Sequence, residues 1–269
     1  MKIAVAVKVV PDPEVDPEVV DGVWQLADVK RVVDPVNEAC VQSVLELRSG
    51  LSDAVVDVVS VGTASDKNAL RHTLAMGVDE VLQLRLADEL ALAVDSLGVA
   101  KLLRRLLAAR GYSLIAAGVK SSDNGSGQVG AALAGLLGWG CVSGVQALLE
   151  AKDGKLLAAC DVGGRVANVW LSLPCVVVCD IKVDGPKQVD VVDVLTAKNK
   201  KLRFKTLHAL NAVFDCGLRT ANLALVPGAR LSRVFHSLRD ACSALGDWLN
   251  GIELSGFSLS ADDVVGDKC

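Results

Sequence analysis

The chain has 269 residues, of which 51% are hydrophobic but only 3% aromatic, so its core has to be built from Val, Leu and Ala and has few rings on which bases stack. A net charge of −4, without a basic block ahead of the tail, argues against nucleic acid as the main partner. The eight cysteines are scattered, with no C-x-x-C pair and no histidine at metal spacing, and most lie in apolar runs such as LPCVVVCD, which points to a reducing compartment.

Residues 2–10 (KIAVAVKVV) are β-branched and nearly uncharged, and read as a first strand rather than a signal sequence, because no small-residue cleavage site follows. No run approaches the roughly 18 apolar residues of a membrane span. The expectation is a protein that does not insert into a membrane and works in the cytoplasm, or in the mitochondrial matrix if a transit peptide has been removed. Pro11, Pro13 and Pro17 then exclude helix and sheet interior, leaving an acidic loop at a strand's carboxyl end. A short irregular hairpin is expected over 22–33, and Asp34-Pro35 leads into a helix over 36–48 with Asn37 and Glu38 in its first turn. A buried strand over 53–61, a helix over 64–76 closed by Gly77 and a short strand over 81–84 follow. Apolar residues at Leu90, Val94, Leu97, Ala100, Leu103, Leu106 and Leu107 predict one long helix over 88–110.

The stretch 113–139, SLIAAGVKSSDNGSGQVGAALAGLLGW, organises what comes before it. Its uncharged run 113–119 predicts a strand buried on both faces, 120–127 a loop of small polar residues, and 128–137 a helix whose Gly130, Ala131, Ala134 and Gly135 allow close packing on the sheet. Strand, loop and helix in that order place free backbone N–H groups and a positive dipole end at the carboxyl edge of a sheet, where phosphate is the natural ligand. The loop follows neither the GxGxxG nor the GxxxxGK[ST] order. A plain connection, with Gly125 and Gly127 in the turn and Ser126 as helix cap, explains the same residues. Asp12 and Asp123 both follow strands and can meet at this edge.

After Trp139 four strand-like segments, 142–151, 155–162, 166–173 and 175–180, succeed one another without a helix, which predicts an antiparallel meander. Alternating strands and helices before it predict an α/β fold with a doubly wound, mainly parallel sheet, Rossmann-like in its nucleotide edge. Residues 1–205 are expected to form this domain and 206–269 a carboxyl-terminal arm, helical over 231–249. Around 186–203, apolar Val191, Val192, Val194 and Leu195 adjoin Lys198, Lys200, Lys201, Arg203 and Lys205, a plausible docking element. His72, His208 and His236 have no motif partner, and no GxSxG, HExxH or acidic metal cluster occurs, so side-chain catalysis is not expected.

Six blocks, MKIAVAVKVVPDPEV, DPVNEACVQSVLEL, SVGTASDKNALRHTLAMGVDEVL, the stretch 113–139, DVGGRVANVWLSLPCVVV and GPKQVDVVDVLTAKNKK, together resemble the electron transfer flavoprotein β-subunit family over residues 1 to about 203. The resemblance implies a heterodimer with an α subunit, an FAD shared with that subunit, and AMP held by this one. Electrons would pass from flavin dehydrogenases, such as acyl-CoA dehydrogenases, to a quinone-linked or other acceptor. It places the nucleotide at Ala6, Val61, Gly62, Asp123, Ser126, Gly127, Gln128, Val129 and Gly130. It makes Val191, Val194, Leu195 and Lys198 part of a recognition loop for the dehydrogenase, with Val191 in place of the usual leucine. DPV stands where NPF is usual, and Gln128-Val129-Gly130 is similar to electron-bifurcating members that carry a second FAD instead of AMP. A stand-alone adenine-nucleotide sensor is the alternative of another class.

Overall fold

The computed structural model describes residues 1–15, 19–20, 23–24, 29–108, 110–181 and 189–210, all within a compact unit that spans Met1–Ala224. The chain opens with β1 (Lys2–Val7) and β2 (Val9–Pro11), then a two-strand hairpin of β3 (Val19–Val20) and β4 (Val23–Trp24), and β5 (Arg31–Val33), which pairs back on β2. Asp34 caps α1 (Pro35–Ser49), and β6 (Val55–Gly62) leads through a 3-10 turn, Ala64–Asp66, into α2 (Lys67–Met76). Gly77, at φ 127, closes α2 in a conformation that a side chain would strain. β7 (Glu80–Arg85), α3 (Asp88–Ala93), α4 (Ser96–Leu107), β8 (Leu114–Gly118) and α5 (Val129–Leu137) complete the alternating part. Then come β9 (Gly140–Lys152), β10 (Lys155–Asp161), β11 (Val166–Ser172), β12 (Cys175–Cys179), α6 (Val191–Ala197), β13 (Lys201–Thr206) and a last 3-10 turn, His208–Leu210.

Nine strands form one sheet in the order β11-β10-β9-β12-β8-β1-β6-β7-β13. From β9 to β13 along this order every pairing is parallel, and only β10 runs against its neighbours. The period of two along a strand sends alternate residues to opposite faces. Ile3, Val5 and Val7 pack with residues of α1 and α2 and with Ala197 of α6, whereas Ala4 and Ala6 pack with α4 and α5. Helices therefore cover both faces, as a mainly parallel sheet requires, and the doubly wound α/β expectation holds.

Two expectations are corrected. The fourth segment of the meander, β12, leaves it and inserts between β9 and β8, parallel to both. All five residues of CVVVC are buried, which only a strand covered on both faces provides. The single long helix is two: Val94 is extended (φ −74, ψ 125), and Asp95 caps α4 by accepting from the Gly98 amide at 2.7 Å. An aspartate placed to cap a new helix outweighs the continuous apolar period. The second half of the basic stretch forms the edge strand β13, where Arg203 Nε lies 2.6 Å from Glu80. The helix expected over 231–249 and nearly all of the arm lie outside the described residues. Burial pushes the Cys175 thiol up to about 11, so it sits in the core as a protonated small hydrophobe.

Ile115, fully buried in the central strand β8, is expected to cost about 2–5 kcal/mol when truncated to alanine. Val166→Ala, at a position 65% exposed, is expected to cost less than about 0.5 kcal/mol. Urea unfolding of the two variants, compared by midpoint at constant slope, measures the difference.

Candidate functional site

From β1 the chain winds outward through β6 to β7 and then returns across β1 to β8, so the strand order reverses between β1 and β8. Connections leave such a sheet in opposite directions at the reversal and open a crevice at the carboxyl ends of the two strands, where ligands of open α/β sheets bind. The residues that meet there are Lys8, directly after β1, and the segment 119–128, between β8 and α5.

Buried Asp34 holds this segment to α1. One carboxylate oxygen accepts from the Val36 amide at 3.1 Å, and the other accepts from the amide and the hydroxyl of Ser122 at 2.7 and 2.8 Å. Asn37, in the first turn of α1, accepts from the Lys8 amide at 2.6 Å, and its Nδ2 occupies the space that a Cβ at Gly118 would need. Lys8 Nζ donates to Asp123 at 2.7 Å and reaches Ser121 Oγ at 3.5 Å. Burial raises the Asp123 carboxyl, but hydrogen bonds from Lys8 and Ser121, the Lys8 charge and the Asn124 amide outweigh it and hold the group below the usual carboxylate range.

The loop then turns through Gly125 and Gly127, both at positive φ. At Gly127 (φ 64) a Cβ would lie 3.1 Å from the Val119 carbonyl, so conformation and space both call for glycine. Ser126 does not cap α5 as a plain connection would have it: its hydroxyl pairs with that of Ser96 at 2.7 Å, and the cap position falls to Gln128, which makes no side-chain cap. The first-turn amides from Val129 onward have no partner within the helix and point their partial positive charge at the crevice. At Gly130 a Cβ would lie 2.6 Å from Val178 Cγ2, so the missing side chain seats α5 directly on the sheet.

Ala6 lies in register with Ala117 of β8 and Val59 of β6, on the face that carries α4 and α5. Val61 and Gly62 end β6 on the far side of β1. The space beside Gly62 is taken by the buried carboxylate of Asp66, which accepts from the Thr63 amide at 2.8 Å and from Arg31 Nε at 2.7 Å. The fold thus gathers residues 123–130 on one loop and helix start, with Ala6, Val61 and Gly62 on neighbouring strand ends. Asp12 does not join them. It faces Lys30 at 3.7 Å and caps the Glu14 amide, while Asp123 takes Lys8.

Lys8, Asp34, Asn37 and Ser122 were not among the expected site residues. Two signals pointed to them: Lys8, the one charge in the apolar run 3–10, and D-P-V-N, an aspartate cap with proline in the first helical turn.

Residues 23–206 match the electron transfer flavoprotein domain family. The chain belongs to the electron transfer flavoprotein β-subunit family. Among its relatives, the electron transfer flavoprotein subunit beta of Bradyrhizobium diazoefficiens is 33% identical over 210 residues, 77% of this chain and 82% of that protein. The mitochondrial subunit beta of Oryza sativa subsp. japonica is 27% identical over 248 residues, covering 91% and 97% of the two chains. The human subunit beta is 28% identical over 198 residues, covering 73% and 74%.

The expected docking residues lie elsewhere. Val191, Val194 and Leu195 project from α6 at 75%, 47% and 53% exposure, and Lys198 follows the helix, also exposed. A shallow cavity of about 540 Å³, lined by Trp139, Cys141, Trp170 and Pro174 among others, opens beside the meander and contains none of the crevice residues. Among the described residues, no group of acidic, histidine and cysteine side chains is placed to hold a metal.

Two outcomes test the crevice. Ser122→Ala removes one of three donors from a fully buried carboxylate and is expected to cost about 1.5–3 kcal/mol in urea unfolding. For Asp123 the folded pKa is the lower one, so its contribution is present above the unfolded value of about 3.9 and is lost as pH falls through the folded value. The stabilities of wild type and Asp123→Asn are therefore expected to differ at pH 7 and to converge in acid, as measured by denaturation at a series of pH values.

Proposed function

We propose that this chain is the β subunit of an electron transfer flavoprotein, an electron carrier without side-chain catalysis that works in the cytoplasm. In this reading it pairs with an α subunit, shares an FAD with it, and passes electrons from flavin dehydrogenases to a quinone-linked or other acceptor. The single observation that carries the nucleotide part is the uncapped start of α5 at the strand-order reversal, where Gly127 allows the tight left-handed turn and Gly130 lets α5 sit directly on the sheet. That donor set fits the phosphate of AMP. Amides of Val129 and Gly130 face the anion, Ser126 supplies a hydroxyl and Gln128 an amide, while the strand ends at Ala6, Val61 and Gly62 border the adenosine. Lys8 neutralises Asp123, so that this carboxylate does not repel the phosphate.

Bound FAD supplies the group that takes up and releases electrons; this chain's contribution is to hold nucleotide, cover part of the flavin and receive partners. Gln128-Val129-Gly130 favours a second reading in which a second FAD replaces AMP, as in bifurcating members of the family. Exposed Val191, Val192, Val194 and Leu195, bordered by the exposed cations Lys198 and Lys201, support docking of the dehydrogenase at α6. No helix among the described residues is long and apolar enough to cross a membrane.

Gly127→Glu brings bulk, a like charge and a strained left-handed residue to the phosphate position. Mass spectrometry of the denatured supernatant is expected to find AMP in the wild-type heterodimer and none in the variant. FAD at two per heterodimer would replace AMP by the second reading, and no adenine compound in the wild type would remove both. Replacing Val191 and Val194 together by aspartate is expected to abolish electron transfer from a reduced acyl-CoA dehydrogenase while nucleotide content stays unchanged; transfer that survives rules out α6 as the docking element.

A further inference from the structure

An ordinary surface helix buries its large apolar residues, and α6 does the reverse. Val191, Val192, Val194 and Leu195 are 75%, 71%, 47% and 53% exposed, and Ala197 is the one buried residue of the helix. At seven residues α6 is too short to hold itself in water, where a helix needs roughly 12–15 residues. One small buried side chain contributes little to fixing it. A polar attachment comes just after its last turn, from Lys200.

The Lys200 amide donates to the Ala197 carbonyl at 3.2 Å, prolonging the final turn, and its ammonium reaches in the other direction to α2. There Nζ donates to the carbonyls of Leu74 at 3.1 Å and Val78 at 2.9 Å. These lie at and just beyond the carboxyl end of α2, where carbonyls lack helical partners and carry the negative end of the dipole. Arg48 takes the Gly77 carbonyl between them at 3.1 Å, so two cations from distant parts of the chain close one helix end. Burial lowers the Lys200 pKa, with Asp79 acting against the shift. Lys200 also immediately precedes β13, so a single residue joins α6, α2 and the edge strand.

We propose that Lys200 is a positioning residue: its bond to the α2 terminus clamps α6 with the Val191, Val192, Val194 and Leu195 face turned to solvent, ready for an electron-donor flavoprotein whose apolar patch has an acidic rim. The proposal rests on the docking reading of α6 given above. Exposed Lys198 and Lys201 beside the apolar residues supply the charge complementarity. A face fixed before the encounter spares the complex the entropy of ordering a loose segment.

The test uses the full heterodimer with Lys200→Met, which keeps the aliphatic stem and removes the ammonium, and with Lys200→Arg, which can still donate to two carbonyls. Amide hydrogen exchange over 191–197 is expected to accelerate about tenfold in Lys200→Met, the loss of about 1.4 kcal/mol, and to return most of the way in Lys200→Arg. With a reduced acyl-CoA dehydrogenase as electron donor, KM for the donor is expected to rise by a similar factor while kcat at saturation and nucleotide content hold. Unchanged exchange in Lys200→Met overturns the clamp. Faster exchange with an unchanged KM overturns its role in docking. If Val191→Asp leaves KM unchanged, the docking reading itself fails, and the exchange measurement still decides whether Lys200 holds α6.

Discussion

A buried carboxylate depends on every donor it has, and Asp34, which pairs with no cation among the described residues, is that group here. It is fully buried and satisfied by three donors from two elements, the start of α1 and Ser122 of the loop after β8. An ionised carboxylate withdrawn from water costs several kcal/mol unless it is hydrogen-bonded, so helix and loop cannot separate without exposing that cost. α1 lies on one face of the sheet and α5, which the loop feeds, lies on the other. Asp34 therefore fixes the two walls of the crevice against each other across the strand-order reversal, and the start of α5 takes its position from them.

The same constraint settles a difficulty of charge. Asp123 beside a phosphate would oppose binding if it stood alone, and Asp12 beside it would make matters worse. The fold separates them, sending Asp12 to Lys30 and giving Asp123 the Lys8 ammonium at hydrogen-bond distance. Lys8 is aimed by its own backbone, since its amide is held by Asn37 of α1. The pair adds no net charge to the crevice, and the partial positive charge of the α5 start remains uncancelled.

What was legible in the sequence follows from how local each cause is. β1, β6 and β8 announce themselves as β-branched or apolar runs with at most one charge each, and Gly77, Gly127 and Gly130 as glycines at turns and at a close helix–sheet approach, because each cause acts within a few residues. β12 was misplaced because an apolar run reads the same in a meander and in a parallel core; what decides is cover from α1 and α5, which lie far away in the chain. The break at Asp95 was a local competition in which a cap outweighed a period. Ser126 was drawn off the helix cap by Ser96 and Lys200 was drawn inward by α2, partners 30 and 126 residues distant that no spacing rule connects. Membership of a family was legible from blocks in order, whereas the ties among Lys8, Asp34, Asn37 and Ser122 needed the fold.

The sheet also separates two exposed surfaces. The meander, with Trp170, Val162 and Val166 exposed, forms one end of the strand order, and β13, with α6 just before it, forms the other. Nine strands have eight spacings, which at about 4.8 Å each put roughly 38 Å between the two edges of a flat sheet. The crevice, between β1 and β8, falls near the middle. A partner that covers the meander need not reach α6, so one subunit can be held at the first edge while another protein comes and goes at the second. In the proposed reading this division matters, because the α subunit must stay when the donor leaves. If α6 docks the donor as proposed, its face is repeatedly uncovered and must keep its shape in water, and α6, apolar outward and tied to α2 through Lys200, has the construction for that.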